Sequence, residues 1–102
     1  MPTRVEFQSK LEELLGNKHV YYQPPESLKM EYPAIVYSKK DIKSTNADDI
    51  KYSYNNCYEV IVIDKKPDNV VIEKMLLTFL YSSYDRHYKA DNLNHDVLTI
   101  YY

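Results

Sequence analysis

The chain contains one glycine, Gly16, in 102 residues, and that scarcity narrows both its possible folds and its possible chemistry. Ahead of Gly16, Phe7, Leu11, Leu14 and Leu15 form one apolar stripe at i, i+4, i+7 and i+8, while Glu6, Lys10, Glu12 and Glu13 face away. Thr3-Arg4-Val5-Glu6 has the form of a capping box, in which the Thr3 hydroxyl accepts from the backbone of Glu6. The spacing therefore predicts a helix that begins after Thr3 and is stopped by Gly16 in a left-handed conformation. With no second glycine, the chain lacks a phosphate-cradling loop, a dinucleotide fingerprint and a nucleophile elbow, since each depends on glycine for close backbone approach or strained turns.

Further along, His19-Val20-Tyr21-Tyr22 is β-branched and aromatic enough for a short strand, which Pro24-Pro25 must end. Residues 26–30 are expected to form one helical turn before Tyr32-Pro33, where the residue preceding proline is driven to extended geometry. Residues 34–38 are nearly continuously apolar and read as a strand covered on both faces. Between residues 51 and 64, Tyr52, Tyr54, Tyr58, Val60 and Val62 share one side and Cys57, Ile61 and Ile63 the other, which predicts the longest strand. A turn follows, with Asp68 or Asn69 capping a second helix. Its Val71, Ile72, Met75, Leu76 and Phe79 make a stripe of the width that packs on a sheet. Tyr84, Arg86 and Tyr88 then alternate with Asp85 and His87, residues 89–92 turn, and residues 93–102 form a strand that pairs back as a hairpin. The expected fold is α+β: a single small domain over residues 1–102, with a mostly antiparallel, mixed sheet, two helices packed on one face and a C-terminal β-hairpin.

Charge and composition exclude several classes of function. Thirteen basic against fifteen acidic residues leave a net charge of −2, which does not favour a general phosphate-backbone binder. Val60-Ile61-Val62-Ile63 is far short of the roughly 20 apolar residues that span a bilayer. A single cysteine rules out an internal disulfide, and a chain of this size can bury one core without disulfide or metal. The first residues lead into an amphipathic segment without an apolar signal core, as expected for a chain kept in a cytoplasm. Twelve tyrosines accompany two phenylalanines and no tryptophan. Tyrosine suits strands, and it also suits a surface that stands in water before a partner covers it.

Three constellations could carry chemistry. Asp85, His87, Asp91, His95 and Asp96 could meet on a hairpin edge and bind a metal or relay a proton, but no nucleophile accompanies them and Asp and Asn are common in turns. Cys57 sits between Asn56 and Tyr58 with no local base, which points to a buried, inert thiol. Lys39, Lys40 and Lys43 beside Tyr37, Tyr52 and Tyr54 follow the basic-plus-aromatic grammar of single-strand binders, yet Asp41, Asp48 and Asp49 cancel that charge locally. The residues thus describe a non-enzymatic domain with no assigned catalytic, cofactor or metal site and no specific nucleic acid partner.

A longer pattern runs through the chain. After the capped helix come Val20-Tyr21-Tyr22-Gln23-Pro24-Pro25-Glu26-Ser27 and Tyr32-Pro33-Ala34-Ile35-Val36-Tyr37. Tyr58-Glu59-Val60-Ile61-Val62-Ile63-Asp64-Lys65-Lys66-Pro67-Asp68, Ser83-Tyr84-Asp85-Arg86-His87-Tyr88 and Asp91-Asn92-Leu93-Asn94-His95-Asp96 complete it. This pattern resembles small tail-terminator or tail-completion proteins of long-tailed bacteriophages and prophages of Gram-positive bacteria. The resemblance implies an α+β subunit that assembles with itself into a ring, commonly of six, on the head-proximal end of the tail tube. Such a ring stops tube polymerisation and offers the surface on which the head docks, so the implied partners are the tail tube protein and a head-completion or connector protein. The implied location is the virion tail or neck, with the host cytoplasm during assembly. Under this reading the charged loop of residues 42–56 is the expected inter-subunit or axial element, and the interface candidates are Lys39, Lys40, Lys43, Asp48, Asp49, Lys51, Tyr52, Tyr54, Asp85 and Arg86. The alternatives are another ring of the phage neck, or a metal- or ligand-binding domain that uses the hairpin from His87 to Asp96.

Overall fold

The structure, a computed structural model, describes residues 3–40 and 57–102. Helix α1 spans Arg4–Leu15. Thr3 is extended and its hydroxyl accepts from the Glu6 amide at 3.2 Å, the Thr3 half of the capping box. Gly16 ends the helix at φ 85°, ψ 11°, with its N–H donating to the Glu12 carbonyl at 2.9 Å. Phe7 and Leu11 are buried from this helix, with Leu14 and Leu15 packed at the margin of the core.

Strand β1 (Val20–Tyr22) lies parallel to β2 (Ala34–Lys39), with Val20 opposite Ile35 and Tyr22 opposite Tyr37. The connector between them contains a cis Tyr32-Pro33 bond. It is held near β1 by an ion pair of 2.9 Å between His19 Nε2 and Glu31. The helical turn expected at residues 26–30 is instead an isolated turn in which the Leu28 amide donates to the Pro25 carbonyl at 3.0 Å. The prolines on either side leave too little chain to propagate a helix past its costly first turn.

Strand β3 (Cys57–Asp64) runs antiparallel to β2 and to β5 (Leu93–Tyr101), and β4 (Tyr81–Ala90) closes the sheet in the order β1-β2-β3-β5-β4. The expected division of faces is correct for the described part of β3, but the longest described strand is β4, at ten residues. Asp91 and Asn92, at φ 52° and 63°, make the two-residue turn that joins β4 to β5. Both are residues whose short polar side chains tolerate the left-handed region, so the hairpin closes without glycine.

Helix α2 (Val71–Thr78) follows a turn organised by Asn69, whose Oδ1 accepts from the Val71 amide at 2.9 Å and whose Nδ2 donates to Asp64 at 2.8 Å. Of the two expected caps, Asn69 is the one that bonds a helix amide, but from one residue ahead of Val70, which occupies the N-cap position without a side-chain cap bond. The register sets Ile35 opposite Val62, Tyr37 opposite Val60, and Tyr58 and Val60 opposite Ile100 and Leu98. These residues form the core face, against which Phe7 and Leu11 of α1 and Val71 and Met75 of α2 pack together with Phe79. Phe7 stands at its centre: its ring stacks on Tyr58 at 4.4 Å and meets Tyr37, Phe79 and Tyr102 at 5.1–5.4 Å. Both helices thus cover one face of a five-stranded mixed sheet, as the α+β expectation requires. Among the described residues, no helix is long and apolar enough to cross a membrane.

Candidate functional site

The border of the sheet at β4 collects the exposed groups that distinguish this molecule from a plain packed domain. Helix α2 turns Val71 and Met75 inward, so Leu77 falls on the opposite side and is 88% exposed. The backbone extends at Phe79, whose ring enters the core, and the next residue, Leu80, is left 86% exposed. Ser82 Oγ donates to the Phe79 carbonyl at 2.8 Å and fixes the start of the strand. From there β4 runs as the outermost strand among the described residues, with almost every one of its own residues exposed. Asp85, Arg86 and Lys89 along it are the charged residues with which natural sheets commonly protect an edge.

The expected alternation in β4 is broken. Tyr84 stands opposite Leu98, but Arg86 stands opposite Val97, so a bulge at Asp85 puts Tyr84 and Arg86 on opposite faces of the sheet. Across the strand pair, Thr99 Oγ1 donates to Asp85 Oδ2 at 2.6 Å, drawing the carboxylate onto the face away from the helices. On that same face Lys40 Nζ reaches Thr99 Oγ1 at 3.4 Å. Beyond the bulge, the Arg86 guanidinium lies 5.7 Å from the centre of the Tyr88 ring, and Tyr88 stacks on His95 at 4.6 Å.

On the helix side of the hairpin, Asp96 is buried and accepts from the Tyr84 hydroxyl at 2.7 Å while His87 Nδ1 lies 2.7 Å from the same oxygen. The bond to Asp96, helped by burial, pushes the Tyr84 phenol up to about 12. A carboxylate that orients an imidazole is half of a general-base arrangement. Here the thiol of Cys57 cannot complete it, because Cys57 pairs with Tyr101 on the other face and burial pushes its thiol up, away from the reactive thiolate.

The five residues singled out on the hairpin therefore do not form one cluster. His87 and Asp96 meet, His95 stacks on the opposite face, Asp85 bonds to Thr99, and Asp91 belongs to the turn. Among the described residues, no group of three His, Cys, Asp or Glu side chains could hold a metal ion. The basic-plus-aromatic grouping loses Tyr37, whose ring is fully buried under α1. Its hydroxyl donates to Gln8 at 2.7 Å and accepts from Arg4 at 3.1 Å.

Of the interface candidates, Lys40 and Asp85 are linked through Thr99, and Arg86 follows on the same face. Lys39 pairs with Tyr58 across β2 and β3, which sets it on the helix side, at the exposed end of its strand. Lys43, Asp48, Asp49, Lys51, Tyr52 and Tyr54, with the rest of the loop of residues 42–56, lie outside the described residues. Thr99 and the exposed pair Leu77 and Leu80 were not singled out from the sequence. The leucines carried a signal, being large apolar residues off the α2 stripe, whereas Thr99 carried none. No family model, curated protein or solved structure matches the chain.

Proposed function

We propose that this chain is a non-enzymatic assembly protein of the tail-terminator kind. In this reading it forms a ring, six subunits in the kind it resembles, on the head-proximal end of a phage tail tube. The ring stops tube polymerisation and presents the surface to which the head is joined, through a head-completion or connector protein. The chain would act in the host cytoplasm during assembly and remain in the tail or neck of the virion.

The observation that carries the reading is the border of the sheet. Eight of the ten residues of the edge strand are exposed, as are Leu77 and Leu80 just ahead of it in the chain, and large apolar side chains standing in solvent suit burial against another protein. The sequence pattern running from Val20 to Asp96 supports the narrower assignment to tail ends. Neighbouring subunits would meet through two different surfaces, and closure by rotation is what would limit growth. The sheet and its exposed edge would face the last ring of the tube.

Light scattering on the protein alone, and again with purified tail tube protein, tests the proposal. A hexamer, or a monomer driven into rings by tubes, is the expected result. A chain that remains indifferent to tubes overturns it, and binding to the portal side instead of the tube would make it a connector of the neck.

A further inference from the structure

We propose that the β4 edge pairs with β4 of a second copy of the chain, antiparallel, about a two-fold axis passing between Asp85 and Arg86. The inference stands on the bulge and does not rest on the ring reading: it gives the β4 edge to a second copy where that reading gives it to the tube, so a chain that stays monomeric until tubes are added supports the ring and overturns the pairing. Because of the bulge, Ser82, Tyr84, His87 and Lys89 face the helix side of the sheet, while Ser83, Asp85, Arg86 and Tyr88 face the other side. That order reads the same in both directions from the Asp85-Arg86 bond. Directly opposed residues in an antiparallel pair face the same side. A second copy centred on this bond meets the condition throughout: Tyr84 opposite His87, Ser82 opposite Lys89, Ser83 opposite Tyr88, and Asp85 opposite Arg86.

The neighbouring registers fail. Centring on Asp85 or on Arg86 sets that charge against itself, and it opposes Tyr84 to Arg86, or Asp85 to His87, which face different sides. In the proposed register each Asp85 meets an Arg86, twice by symmetry, and Lys89 meets a serine, so no like charges are opposed. A bulge and scattered charges deter a flat, regular strand. A second copy brings the same irregularity to the same place and is the partner this edge fits. The other border is a poorer match, since β1 has three residues against ten. The product is one continuous sheet built from two five-stranded halves, with the helices of both copies on the same side.

Sedimentation equilibrium over a wide concentration range tests this on the full chain, with circular dichroism to confirm folding. The wild type is expected to dimerise, and Arg86→Asp, at an exposed position, to weaken the dimer by about tenfold or more. Asp85→Arg should do the same. A wild type that is monomeric at every concentration overturns the proposal, as does a dimer or larger ring that a folded Arg86→Asp variant leaves unchanged. Should Asp85→Arg not fold, Arg86→Asp alone still decides. A hexamer insensitive to Arg86→Asp would remove this pairing while leaving the ring reading standing.

Discussion

Asp96 shows how much a single buried carboxylate can organise. It takes one hydrogen bond from Tyr84 and one contact from His87, and both bind β4 to β5 on the helix side. The sign of the resulting pH dependence follows from the phenol. The folded chain keeps the Tyr84 proton up to about pH 12, whereas an unfolded tyrosine releases it near 10.0. The stabilisation is therefore complete below the unfolded value and lost as pH rises through the folded one. Tyr84→Phe is expected to flatten the loss of stability between those two values, read from urea midpoints as a function of pH. An unchanged slope would assign the dependence to other tyrosines, among which Tyr37 and Tyr58 are also pushed up by burial. Little of this was legible in the sequence: His87 and Asp96 were named, but Tyr84 was grouped with Arg86, because a bulge leaves no mark on a pattern of alternating residues.

At the scale of the element, what was legible is what is local. Helix α1 carries its start in Thr3, its inner face in Phe7 and Leu11 and its stop in Gly16, all within a few turns of chain, and each is where it was expected. Gly16 has open space around its missing side chain, so the cost of Gly16→Ala comes from the left-handed backbone alone. A loss of about 1 kcal/mol in chemical denaturation is expected. No loss would mean that the helix end can relax to another conformation. In contrast, the bulge in β4 is set by Thr99, fourteen residues further along the chain, and residue spacing cannot report such a partner. The turn at residues 26–30 departs from its sequence pattern for a different reason. Its residues suit a helix, but the prolines around it deny the length a helix needs.

For the whole molecule, the contrast between its two apolar populations is the useful measure. Phe7 is fully enclosed by rings from several elements, and Leu77 is almost wholly in solvent. Phe7→Ala should cost about 3–5 kcal/mol, because it empties the middle of the core. Leu77→Ser should change stability by no more than about 0.5 kcal/mol, the usual range for exposed positions. Thermal or urea unfolding of both variants checks this, and a large cost for Leu77→Ser would mean that the residue supports the fold rather than a partner. The ring cluster around Phe7 also has a kinetic consequence. Its members, Tyr37, Tyr58, Phe79 and Tyr102, come from points spread along nearly the entire chain. A helix as short as α1 is marginal by itself in water. Helix α1 therefore completes its packing only when Tyr58, Phe79 and Tyr102 have all reached it, and loop closure over long stretches of chain, rather than the coiling of any one segment, is expected to limit the rate of folding.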